Sequence, residues 1–214
     1  MTGDSITRGY DCTSTTTDTV YNGYRSALDT LAIADGYTSI QWLGQQNNST
    51  ASYAPTRHHE GINGDSCNDK LPGAPSTNGS GFTTNTITNY LGTGKPLHGV
   101  QVIMLNLGTN AEDSGSFAAN YQSLIEQIHS REPQARFVVN TVFSGTAPAA
   151  NNTSLTTTRT GVWDTLGEEG IQLYRATTTL VGGDLCDGIH PTPTGYTKLG
   201  NDIYPALRSA LRGL

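Results

Sequence analysis

Ser5, Asp187 and His190 are the residues whose types and spacing offer nucleophilic chemistry. Ser5 stands in Gly3-Asp4-Ser5-Ile6-Thr7, at the very start of the 214-residue chain. A serine hydroxyl is a weak nucleophile, so it needs a base within hydrogen-bond reach and a group that orients the base. Asp187-Gly188-Ile189-His190 puts a carboxylate three residues before an imidazole. In a turn, that spacing lets Asp187 accept from one ring nitrogen of His190 while the other faces Ser5, and Pro191 stiffens the turn. Attack on a carbonyl also requires donors for the developing oxyanion. Three are on offer: the Ser5 backbone N–H, the N–H of Gly64 in Ile62-Asn63-Gly64-Asp65-Ser66, and the side-chain amide of Asn110 in Leu107-Gly108-Thr109-Asn110. At a strand-to-helix turn, Ser5 would also have a helix N-terminus favouring that negative charge.

These residues need a scaffold that brings both chain ends together. Val100 to Leu107 (VQVIMLNL) and Arg136 to Phe143 (RFVVNTVF) are nearly continuous apolar runs, as strands covered on both faces require. Thr38 to Leu43 (TSIQWL) alternates like a strand, and a further short strand is expected over Thr177 to Val181. Helical spacing predicts helices over Thr19 to Ala34, Ser116 to Arg131, Val162 to about Tyr174 and Thr194 to Leu211, with a short one over Asn85 to Leu91. The helix over Thr194 to Leu211 carries Tyr196, Leu199, Ile203, Leu207 and Leu211 along one side. Gln45 to about Gly81 is a long polar loop, which inside a compact domain has a functional role or an ordered structure of its own. Strands alternating with helices predict a parallel sheet with helices on both faces, in one domain spanning residues 1–214. The strand that should deliver Ser5 has only Met1 and Thr2 left, so a few residues are expected to precede Met1.

Composition narrows the partners. Only 14% of residues are charged and the net charge is −6, with the basic residues scattered. Nucleic acids and anionic membranes call for a basic surface, so neither is expected as a partner. No apolar stretch approaches the roughly 18 residues that span a bilayer. Asn47, Asn48, Asn78, Asn151 and Asn152 head N-x-Ser/Thr sequons, and with the low charge they lean toward a secreted glycoprotein whose signal peptide has been removed. Cys12, Cys67 and Cys186 allow one internal disulfide and a free thiol, or no disulfide at all.

The blocks Gly3-Asp4-Ser5-Ile6-Thr7, Gly64, Gly108-Thr109-Asn110 and Asp187-Gly188-Ile189-His190-Pro191 together resemble the four ordered blocks of the SGNH (GDSL-type) hydrolase superfamily. They span residues 3–191 and stand in the family's order. Within it, His59-Glu60-Gly61 before Gly64 and the short chain are similar to carbohydrate esterase family 3, whose members remove acetyl groups from xylan and related sugars. The resemblance implies a three-layer α/β/α sandwich on a flavodoxin-like parallel sheet of about five strands. It implies a Ser5–His190–Asp187 triad, an oxyanion hole from Ser5, Gly64 and Asn110, and an acetylated carbohydrate or small acetyl ester as substrate for a monomeric enzyme. One departure stands out: Ala111 occupies the position where the family's third block often has Asp, leaving Glu112 or Asp113 as substitutes in supporting Asn110. Two other classes remain: a broader short-chain or lipid esterase or acyltransferase on the same triad, and a non-catalytic carbohydrate-binding protein on the same fold.

Other residues have plainer roles. Asp4 is expected to brace the turn around Ser5, while His58, His98 and His129 read as surface or helix-end residues. His59 and Glu60 would either line the site or pin the loop. No cofactor is required by this chemistry. Asn63 to Asp69 offers oxygen donors for a structural Ca²⁺, without the ligand spacing of an EF-hand loop.

Overall fold

A computed structural model describes residues 1–10, 12, 23–44, 46–47, 58–61, 87, 90–110, 114–141 and 149–214. Its elements are β1 (Thr2–Gly3), α1 (Ser5–Arg8), α2 (Arg25–Ala34), β2 (Gln46–Asn47), β3 (His58–Gly61), β4 (Val102–Asn106), α3 (Ser114–Arg131), β5 (Arg136–Asn140), α4 (Ala149–Glu168), β6 (Leu173–Ala176) and α5 (Pro193–Leu211).

Alternation along the central strands creates the layers. In β4, Ile103 and Leu105 face one side and Met104 the other; in β5, Phe137 and Val139 oppose Val138. Period-two side chains on a sheet buried on both faces must meet two separate apolar covers. One cover is α3 with α4, through Phe117, Tyr121, Leu124, Ile125 and Ile128 and through Val162, Trp163 and Leu166. The other is α2 with α5, through Leu28 and Ala32 and through Tyr196, Leu199, Ile203 and Leu207. Each fully buried Leu or Ile here contributes about 1.5–3 kcal/mol of transfer free energy.

The sheet order is β2-β3-β1-β4-β5-β6, with every pairing parallel except β2 against β3. Counting only the five parallel strands, the order is that of a doubly wound flavodoxin-like sheet, with the short antiparallel β2 added at one edge. The three-layer α/β/α architecture thus follows the expectation. β1 sits in the interior, aligned Gly3 to Gly61 on β3 and Gly3 to Asn106 on β4. Ser5 therefore emerges at the carboxyl edge beside the loops that follow those two strands.

Several elements depart from the sequence reading: β2 and β3 lie within the stretch read as a long loop, and α4 begins at Ala149, well before Val162. The strand expected over Thr177 to Val181 lies earlier, at Leu173–Ala176, and α4 ends at Glu168 instead of near Tyr174. Gly170 adopts φ 89°, and the N–H of Ile171 turns back to the carbonyl of Leu166 at 3.0 Å, which closes the helix and frees Leu173 for the sheet. Thr38 to Leu43 makes no ladder, because Trp42 is turned inward and donates its indole N–H to Asp29 at 2.7 Å. Finally, α2 begins at Arg25 and not at Thr19; most of the residues before it, 13–22, lie outside the described ones, as does most of the helix expected over Asn85 to Leu91.

Candidate active site

The backbone around Ser5 is shaped by glycines and one carboxylate. Asp4 is extended and caps α1, its Oδ1 accepting the Ile6 N–H at 2.9 Å, while Gly9 closes the turn at φ 86°. Asp4 is fully buried and braces this turn, as the sequence suggested. A Cβ on Gly3 would run into the Thr7 side chain and the Asn106 carbonyl, and one on Gly61 would meet the Arg8 N–H. The turn around Ser5 can approach the sheet this closely only because both positions lack side chains.

At the other end of the chain, a tight hairpin carries His190. Leu185 and Pro191 bridge antiparallel, the Cys186 N–H donates to the His190 carbonyl at 3.0 Å, and Gly188 turns at φ 84°. Thr192 then caps α5 by accepting the Gly195 N–H at 3.1 Å, with Pro193 in the first turn. The Cys12–Cys186 disulfide ties this hairpin to the segment that follows Ser5, across 174 residues. Cys67 lies outside the described residues.

Ser5, His190 and Asp187 meet as expected. Ser5 Oγ is 2.8 Å from His190 Nε2, and His190 Nδ1 is 2.7 Å from Asp187 Oδ2. Asp187 Oδ1 also accepts the backbone N–H groups of His190 at 2.7 Å and Ile189 at 3.0 Å. Partial burial opposes charge on Asp187, but the backbone and ring bonds from His190, with the Ile189 N–H, outweigh it and hold the carboxyl below its ordinary range. Ser5 is buried at 6% exposure, so its hydroxyl points at the imidazole with little water around it.

The proposed oxyanion donors are less completely placed. Asn110 is half-buried and lies four residues beyond β4, whose Asn106 aligns with Gly3. That puts it on the same edge of the sheet as Ser5. Gly64 lies outside the described residues, as do Ala111, Glu112, Asp113 and the Asn63 to Asp69 stretch considered for Ca²⁺. The same holds for the side chains of His59 and Glu60, whose backbone forms β3. His58 is exposed and bonds the Gly44 carbonyl, while His98 pairs with Glu132 at 3.1 Å, away from the site.

Several residues around the site were not singled out from sequence. The Tyr10 ring lies 4.5 Å from that of His190, and the Tyr10 carbonyl accepts the Tyr196 hydroxyl at 3.0 Å. Beneath the turn, the Tyr24 hydroxyl meets Thr7 Oγ1 at 3.0 Å and Arg25 donates to the Thr7 carbonyl. Burial pushes the Tyr24 phenol up to about 12 and pulls the Arg25 guanidinium down to about 10, so at neutral pH the first is uncharged and the second charged. Asn140 donates to Asn106 Oδ1 at 3.0 Å where β4 and β5 end. No local pattern marks these contacts, since each joins segments distant in sequence.

Among the described residues, the one grouping with metal-ligand atom types close together is Cys12, Asp187 and His190. Its sulfur is committed to a disulfide, and its imidazole and carboxylate bond each other, so this set is suited to proton transfer and not to a cation. Among the described residues, no helix is long and apolar enough to cross a membrane.

In sequence, no family model and no curated protein matches the chain. In shape it is similar to several solved structures. A carbohydrate esterase family 3 structure from Talaromyces cellulolyticus superposes with a TM-score of 0.77 at 18% identity, covering 100% of this chain and 97% of that one. A Clostridium thermocellum family 3 carbohydrate esterase gives 0.72 at 21% identity, covering 99% and 94%. An acetyl esterase variant crystallised with an acetate ion gives 0.71 at 18% identity, covering 97% and 94%. The described residues have the α/β/α fold of these esterases.

Proposed function

We propose that this chain is a serine esterase that releases acetyl groups from carbohydrates, xylan among them, through Ser5, His190 and Asp187. The observation that carries the proposal is the unbroken series from Ser5 Oγ to His190 Nε2 at 2.8 Å and from His190 Nδ1 to Asp187 Oδ2 at 2.7 Å. Both distances suit direct proton transfer and orientation. In the first step Ser5 Oγ attacks the acetyl carbonyl while His190 Nε2 takes its proton. Asp187 holds the ring by accepting from Nδ1 and stabilises the imidazolium that forms. The oxyanion is received by the Ser5 N–H, with the Gly64 N–H and the Asn110 amide as further donors. His190 then protonates the departing sugar oxygen, activates water, and acetate leaves with Ser5 restored.

The acetyl and carbohydrate preferences draw on the similar structures, which are described as an acetyl esterase and carbohydrate esterases. The Cys12–Cys186 disulfide supports a secreted protein, since such bonds persist in oxidising compartments. Action as a monomer is part of the proposal, because a single chain supplies the whole triad. An acetate-release assay on acetylated xylan, simple acetyl esters and longer acyl esters tests the substrate. Acetyl esters are expected to be cleaved fastest. Faster cleavage of long acyl chains, or transfer to an added sugar exceeding hydrolysis, overturns this assignment.

A further inference from the structure

We propose that Arg25 is a positioning residue that fixes and polarises the Ser5 backbone N–H through two peptide units in series. The inference rests on Ser5 being the nucleophile. Arg25 Nη1 donates to the Thr7 carbonyl. That carbonyl belongs to the same peptide unit as the Arg8 N–H, which donates to the Asp4 carbonyl at 3.0 Å. The Asp4 carbonyl in turn shares its peptide unit with the Ser5 N–H. A cation, the Thr7–Arg8 peptide and the Asp4–Ser5 peptide therefore stand in line, and the line ends on the donor that faces the oxyanion. Each donor acting on a carbonyl oxygen draws density from its nitrogen and strengthens the next N–H, by about 10–30% per bond in such chains.

Burial makes the arrangement effective. Arg25 is 0% exposed, so water does not screen its charge on the way to the turn. Removing a guanidinium from water is costly. The Tyr24 hydroxyl bonds the Thr7 side chain at Oγ1, 3.0 Å away, whereas the cation acts on the Thr7 carbonyl, the atom at the head of the series. The cation adds a direction of polarisation that α1 lacks: with only four residues it has no substantial dipole, so the helix N-terminus expected from sequence to favour the oxyanion is too short to do so alone.

The experiment compares Arg25→Gln, Arg25→Lys and Tyr24→Phe, with kcat and KM on an acetyl ester expressed per active site titrated by a serine-directed phosphonate. Titration counts only competent folded molecules, so loss of folded protein does not masquerade as loss of turnover. Deleting an oxyanion donor costs on the order of 100–1000-fold in turnover, and weakening one costs less. The expected result is a kcat loss of about tenfold for Arg25→Gln, with KM within about twofold. A loss of about threefold is expected for Arg25→Lys, which keeps the cation without the planar fork. Tyr24→Phe should stay within about twofold, since it removes an anchor and leaves the series intact. Arg25→Gln within twofold of the parent overturns the proposal. So does Tyr24→Phe losing as much turnover as Arg25→Lys, and that ordering decides the matter if Arg25→Gln gives no titratable protein. If the parent protein itself neither reacts with the phosphonate nor releases acetate, the esterase assignment fails instead, independently of Arg25.

Discussion

Replacing Asp187 by asparagine tests how the His190 ring is held. The amide oxygen of asparagine still accepts the Ile189 and His190 backbone N–H groups, now bound at 3.0 and 2.7 Å, so the hairpin should keep its shape. What changes lies at Nδ1, 2.7 Å from Oδ2 in the parent. An amide NH₂ there favours the tautomer with its proton on Nε2, which cannot take the proton from Ser5. In a fully buried triad this substitution costs roughly 10⁴ in turnover. Here the Asp187 side chain is 40% exposed, so water screens its charge and offers His190 another partner. The expected loss is therefore smaller, about 100–1000-fold in kcat, or about 3–4 kcal/mol of transition-state stabilisation. The assay is acetate release per titrated site at neutral pH. A variant within about fivefold of the parent would refute Asp187 as the orienting group. The depressed carboxyl also has a stability signature. Its contribution is present above the unfolded aspartate value of about 3.9 and is lost as pH falls through the lower folded value. Parent and variant should thus converge in stability at acid pH, as followed by denaturant unfolding.

Other perturbations separate the site from its supports. Asn110→Ala should lower kcat on the order of 100-fold with little change in KM, and unchanged turnover would remove Asn110 from the oxyanion hole. Cys12→Ser with Cys186→Ser opens a closure spanning 174 residues, worth about 5 kcal/mol in the chain-entropy model; thermal unfolding checks this, and a shift of under about 2 kcal/mol would contradict it. Glu132→Ala removes the acceptor of the Gly92 N–H at 2.7 Å, the Gly99 N–H at 2.9 Å and His98 at 3.1 Å, all remote from Ser5. It should destabilise by about 3 kcal/mol while leaving kcat per titrated site unchanged, as read from denaturant unfolding beside the acetate assay.

The parts of the fold legible from sequence were those with a local signature. Val102–Asn106 and Arg136–Asn140 show themselves as buried apolar runs, and α5 shows its stripe from Tyr196 to Leu207. Asp187 and His190 are three residues apart, so one hairpin brings them together and their spacing is informative. Thr38 to Leu43 misled because alternation there records Trp42 turning inward to Asp29, a burial pattern without a partner strand. The end of α4 misled because Leu173 and Tyr174 continue an apolar pattern past Gly170, where the backbone has already turned. The first half of α4 is rich in Asn, Ser and Thr, and no apolar stripe announces it. Arg25 under Thr7, Tyr10 against His190 and Cys12 with Cys186 depend on chain segments meeting only after folding. No spacing rule specifies such encounters.

The proposed role of Ser5 as nucleophile is open to a direct measurement. The intact protein is treated with a serine-reactive phosphonate, the modified residue is mapped by mass spectrometry, and acetate release is followed in parallel for the parent and Ser5→Ala. The account predicts one label per chain, on Ser5, with activity lost in proportion to labelling and Ser5→Ala reduced at least about 1000-fold. A label on another serine, or a Ser5→Ala protein that still releases acetate within about tenfold of the parent, would contradict it.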